Sequence, residues 1–137
     1  MDKTLLQQKL ELLADLLEKI KQILLEHDKN QKLQEFLLYA AEKKAEEIVE
    51  LAVTINQEIL GSKGKFALSY YETFSHLSRF SLFTEEELRQ LASTAGFRNR
   101  LAHEYLEIDR HIALRTMKNM MPLYSLYLQR IKKFSSK

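Results

Sequence analysis

Apolar residues recur along nearly the whole chain at intervals of three and four. From residue 4 to residue 26, Leu6, Leu10, Leu13, Leu17, Ile20 and Leu24 follow a 4-3-4-3-4 cadence, the seam of a helix that packs lengthwise on another. Leu5, Leu12, Leu16 and Ile23 make a second stripe beside it. One partner cannot cover both stripes, so this helix is expected to meet two neighbours, with a second chain as a candidate for one. His27 falls in its last turn, where an imidazolium suits the negative helix end. A second helix is expected from Asn30 to just before Gly61, a natural left-handed terminator. Leu37, Ala41, Ala45, Ile48, Ala52, Ile55 and Ile59 mark its buried face, and the alanines imply close backbone approach. The face behind, with Glu42, Lys43, Glu46, Glu47 and Glu50, reads as solvated.

Gly61-Ser62-Lys63-Gly64-Lys65 has the GxxG outline of a nucleic-acid loop and part of a phosphate loop. No strand precedes it, and Phe66 occupies the position where a phosphate loop needs Ser or Thr, so it reads as a helix connector. A shorter helix is expected over 68–80, with Tyr70, Tyr71, Phe74, Leu77 and Phe80 mostly at core spacing and His76 at its rim. Thr84-Glu85-Glu86-Glu87 spells a capping box with acids in the first turn, opening a fourth helix that runs towards Tyr105. Asp109 can cap a fifth over 110–134, with Ala113, Met117, Met121, Tyr124 and Leu128 inward and a kink at Pro122. Nothing has strand periodicity. The expected fold is an all-α antiparallel bundle of about five helices, in one domain spanning 1–137.

Composition agrees. Gly and Pro total four, where average usage would give about sixteen, too few turns for a sandwich or barrel. There is no Cys, which removes disulfides, thiolate metal sites and a Cys nucleophile. With neither a signal-peptide pattern nor an apolar run of about eighteen residues, the expectation is a soluble cytoplasmic protein with no membrane partner. Charge divides unevenly: residues 1–60 carry 8 Lys/Arg against 12 Asp/Glu, and residues 61–137 carry 13 against 7, including every Arg. Arginine makes planar bidentate contacts with phosphate, so the second half could face a polyanion.

The stretch Arg98-Asn99-Arg100-Leu101-Ala102-His103-Glu104-Tyr105 departs from the core pattern. At about 100° per residue, Asn99, His103 and Leu106 share one helix face, and Arg98, Ala102 and Tyr105 share another. Two arginines, a histidine and a tyrosine make a candidate anion site, which Arg110 and His111 could extend. A metal centre is not expected: no E-x-x-H pair occurs on two helices, and His103-Glu104 lacks the second His of H-E-x-x-H.

The string RNRLAHEY, followed by Ile108-Asp109 and a terminal helix, resembles the R-x4-H-x-Y signature of the HEPN-type HepT toxins. The resemblance extends over nearly the whole chain, including its length, the Tyr/Phe-rich third helix and the Thr84-capped helix leading into the motif. It implies a HEPN-like, homodimeric, all-helical ribonuclease encoded beside a minimal nucleotidyltransferase antitoxin, with no cofactor. Carried over, Arg98 and His103 would be the nuclease pair, Asn99 a supporting residue, and Tyr105 the residue that the antitoxin modifies with AMP. Arg100 is a further candidate for the RNA backbone.

That chemistry is sound on its own terms. A group titrating near neutrality can take the 2′-hydroxyl proton, and a guanidinium can stabilise charge on the phosphorane. Cleavage also needs an acid for the leaving oxygen, and one chain offers one well-placed His, so a two-fold dimer bringing two copies of His103 together is expected. Two other readings stay open: a non-catalytic subunit that binds nucleotide or substrate for a small nucleotidyltransferase, and a helical dimerisation module resting on the first-helix seam.

Overall fold

The computed structural model describes residues 1–104 and 107–136. Tyr105, the expected modification site, and Leu106, assigned to the face of Asn99 and His103, lie outside the described residues. The helices are α1 (Lys3–Lys29), α2 (Gln34–Gly61), α3 (Tyr70–Ser75), α4 (Glu85–His103) and α5 (Arg110–Ser135), with tighter 3-10 turns at Gln31–Leu33 and His76–Phe80. No strand occurs among the described residues, and no helix is long and apolar enough to cross a membrane.

Local chemistry sets where these helices begin. Asp2 accepts from the amides of Thr4 and Leu5 at 3.0 and 3.1 Å, and Asp109 accepts from His111 and Ile112 at 2.8 and 3.2 Å. At α4, Thr84 and Glu87 satisfy each other's backbone amides at 3.0 and 2.8 Å, the expected capping box. Each device removes one or two of the amide donors that a helix start leaves without partners.

Packing follows the seams. All six α1 residues of the 4-3-4-3-4 series are buried, and α1 meets both α2 and α5. Its two neighbours thus belong to the same chain, Leu16 is the member of the second stripe that is buried, and Leu5 and Leu12 are exposed. The α5 core is Ala113, Met117, Met120, Tyr124, Tyr127 and Ile131, the same 4-3-4-3-4 cadence as α1. Met121 and Leu128 are half-buried instead, and the inward-turned Tyr124 and Tyr127 bond Thr94 of α4 and Ala52 and Asn56 of α2. On α2, Leu38 is buried and Leu37 only partly so, while Ala41, Ala45 and Ala52 are fully buried as expected. Tyr71 is exposed.

The connector after α2 differs in one respect. Gly61 belongs to the helix, and the left-handed residue is Gly64, at φ 67°. There the Gly64 amide donates to the Gly61 carbonyl at 3.0 Å and the Lys65 amide reaches back to Leu60 at 2.9 Å, so α2 ends one residue later than expected and its left-handed turn falls at Gly64.

The core contains a small polar network. Asn56 of α2 is fully buried; its amide donates to Thr73 Oγ1 at 3.2 Å, and its Oδ1 accepts from the Tyr127 hydroxyl at 2.5 Å. Tyr124 and Thr94 bond at 2.7 Å. Burial pushes both tyrosine hydroxyls well above their ordinary value, which keeps them neutral hydrogen-bonding groups. Thus α2, α3 and α5 are tied at one level, and α4 is tied to α5 beside it.

Candidate functional site

The motif occupies the last two turns of α4 and the connection to α5. Phe97 and Leu101 are buried and fasten this end of α4 to the core, leaving Asn99, Arg100 and His103 exposed. His103 lies in the final turn, and the next amide, of Glu104, still donates to the Arg100 carbonyl at 2.8 Å. The imidazole is therefore carried on ordered helix and open to solvent. Arg100 is likewise exposed.

Arg98 is held from three sides. One Nη donates to Glu50 Oε1 of α2, and the other donates to Asn99 Oδ1 at 3.3 Å. Its guanidinium carbon lies 5.2 Å from the centroid of the Tyr70 ring of α3, within cation–π range. The side chain is 17% exposed, and its Nε is buried without a partner among the described residues.

Beyond the connection, Arg110 is held by similar parts. It donates to both carboxylate oxygens of Glu42, at 2.7 and 2.5 Å, and lies 5.3 Å from the Tyr39 ring centroid. The Glu42 side chain is 4% exposed. Burial pushes its carboxyl above the ordinary value, against the lowering exerted by Arg110. Glu42 is thus buried rather than part of a solvated face, while Glu50 keeps 45% of its side chain exposed; each pairs with one of the arginines on either side of residues 104–109. An open groove of about 710 Å³ runs past Arg110 and His111 to Tyr39 and His27. His27 is buried at the end of α1, its Nδ1 3.1 Å from Asp28. Asp28 in turn takes Lys118 of α5 at 2.9 Å, and these contacts, that with Lys118 foremost, hold its carboxyl below its ordinary value. Among the described residues no three His, Asp or Glu side chains gather as metal ligands.

Glu50, Tyr70, Glu42 and Tyr39 carry no signature of their own along the chain. The signal that bears on them is the charge division. Arg98–Glu50, Arg110–Glu42 and Lys118–Asp28 each join a cation of the second half to an acid of the first. Part of the asymmetry is therefore settled inside the molecule rather than by an external polyanion.

The chain belongs to the HepT-like ribonuclease family, whose model matches residues 13–131. It is 36% identical over 89 residues to the tRNA nuclease HepT of Aphanizomenon flos-aquae (strain 2012/KM1/D3); the match takes in 64% of this chain and 60% of that nuclease's length. The fold is similar to that of the tri-AMPylated HEPN toxin of Shewanella oneidensis, solved in complex with its MNT antitoxin. That match has a TM-score of 0.83 at 17% identity and covers 97% of this chain and 98% of the other. It is also similar to the cytosolic Bacillus subtilis protein YutE, of unknown function, with a TM-score of 0.69 at 17% identity over 90% and 88% of the two chains.

Proposed function

We propose that this chain is the toxin of a toxin–antitoxin pair, a metal-independent endoribonuclease acting in the cytoplasm. Its working groups are Arg98 and His103, supported by Asn99 and Arg100. In the proposed reaction His103 takes the proton of an RNA 2′-hydroxyl, and that oxygen attacks the adjacent phosphorus. The bond from phosphorus to the 5′-oxygen breaks, leaving a 2′,3′-cyclic phosphate. The 5′-oxygen receives a proton from a second His103 supplied by the partner protomer of a homodimer. Arg98 offsets the charge that builds on the non-bridging oxygens. The observation that carries this reading is the exposure of His103 on ordered helix, five residues after an arginine whose guanidinium is fixed.

Regulation is proposed at Tyr105. AMP attached to its hydroxyl by a minimal nucleotidyltransferase antitoxin would bring phosphate charge beside His103 and occupy the arginines that otherwise hold RNA. The name of the Aphanizomenon relative makes tRNA the first substrate to try.

Purified chain incubated with tRNA and EDTA is expected to yield cyclic-phosphate ends, and His103→Ala is expected to lose roughly 10²–10⁴-fold in rate. Strict dependence on added Mg²⁺, or an active His103→Ala, overturns the reading. Mass spectrometry after co-expression with a neighbouring nucleotidyltransferase is expected to find AMP-sized additions on the peptide bearing Tyr105.

A second reading is favoured by the Nη hydrogens that Arg98 keeps beyond its bonds to Glu50 and Asn99: a subunit that grips phosphate for a nucleotidyltransferase without turning it over. Growth separates the two. A toxic wild type with a harmless His103→Ala supports the nuclease, and two harmless proteins support the binding subunit.

A further inference from the structure

Arg98 projects from α4, yet the groups that fix it come largely from other helices. An arginine has five N–H donors. One Nη hydrogen goes to Glu50, one goes to Asn99, and the Nε hydrogen points into buried surroundings. Two Nη hydrogens remain, on a side chain that keeps 17% of its surface exposed. The Tyr70 ring closes one face of the guanidinium plane.

We infer that Glu50 is the positioning residue of the nuclease site: its carboxylate fixes the Arg98 guanidinium, over Tyr70, so that the two remaining Nη hydrogens meet the scissile phosphate. This rests on the nuclease reading above and adds to it a residue 48 positions away in sequence.

The physical reason is geometric. An unbraced arginine on a helix surface explores many rotamers and loses that side-chain freedom when it is fixed. Charge stabilisation of a phosphorane requires the donors to be in place before the reaction. Glu50 provides that at an electrostatic cost, because its negative charge opposes the approach of RNA. The Glu50 side chain is 45% exposed, and burying the pair is not what keeps the bundle folded. An acid tied to the one motif arginine and facing an anionic substrate is explained by orientation, not by attraction.

The two effects separate kinetically. With full-length protein and tRNA as the substrate, Glu50→Ala is expected to lower kcat by on the order of ten- to a hundredfold, with KM unchanged or lower because a negative charge has gone. Glu50→Gln keeps an acceptor for the Nη hydrogen and is expected to recover most of kcat. Tyr70→Leu, which removes the ring face, is expected to shift kcat in the same direction, and Tyr70→Phe, which keeps the ring, to recover most of that loss. In an Arg98→Ala background, Glu50→Ala is expected to have no further effect.

If Arg98→Ala abolishes cleavage while Glu50→Ala and Tyr70→Leu keep kcat, the positioning role is overturned and the nuclease reading stands. If Glu50→Ala lowers KM and keeps kcat, Glu50 competes with RNA and does not position Arg98. If Arg98→Ala cleaves normally, the nuclease reading itself falls and this role falls with it.

Discussion

Arg98 and Arg110 are each bonded to a glutamate of α2 and laid over a tyrosine, and the two glutamates are eight residues apart on one helix. The surroundings differ. Glu42 is nearly sealed, at 4% side-chain exposure, whereas Glu50 is 45% exposed. A sealed carboxylate has lost its water and depends on its cation; a wet one is solvated whether or not the cation is present. The same three side-chain types thus make a structural anchor at the start of α5 and an orienting brace near the end of α4. Burial, more than contact geometry, separates the two roles.

Four measurements sharpen or break that comparison. The largest effect is expected for Arg110→Ala, which strands Glu42 and should cost about 3–5 kcal/mol in urea unfolding. Replacing the pair together, Glu42→Met with Arg110→Leu, is expected to restore most of that loss, since an apolar pair of similar volume has no charge to desolvate. Arg98→Ala is expected to cost about 1 kcal/mol or less while removing activity. Equal costs for the two arginines would erase the distinction drawn here.

The smallest effect is a pH slope. The Glu42 carboxyl is raised above its ordinary 4.5 by burial, so between that value and its raised one the folded chain binds more protons than the unfolded chain. Stability is therefore lost as pH rises through this window. Glu87 contributes in the opposite sense: the Thr84 amide, foremost, holds its carboxyl low, and its contribution is lost as pH falls. Subtracting the unfolding profile of Glu42→Gln from that of the wild type isolates the Glu42 slope, which is expected to be negative.

Much of this was legible in the chain. The α1 seam, the Thr84 box and the Asp109 cap each depend on residues within a few positions of one another, and each occurs where its spacing predicts. The motif also could be read, because Arg98, Asn99, Arg100 and His103 fall within two turns of one helix. What could not be read was who completes it. Helical periodicity assigns Glu42 and Glu50 to a polar face, and polar reads as solvated until a cation from a distant segment is known to pack there. The α5 register differs from its expectation for a related reason: Met120 and Met121 are both apolar, and only packing against distant helices decides which turns inward.

Asn56 has a consequence for the bundle as a whole. Its amide is satisfied by a threonine of α3 and a tyrosine of α5 that meet it at a single height. Leucine seams alone tolerate slippage, since one turn along a heptad presents another leucine. Sliding α5 by one turn here would carry the Tyr127 hydroxyl about 5.4 Å away and leave an amide oxygen stranded in oil, at about 1–3 kcal/mol. One asparagine thereby acts as a locating pin, and it sets the height at which α5 begins and hence where the chain must turn back from α4.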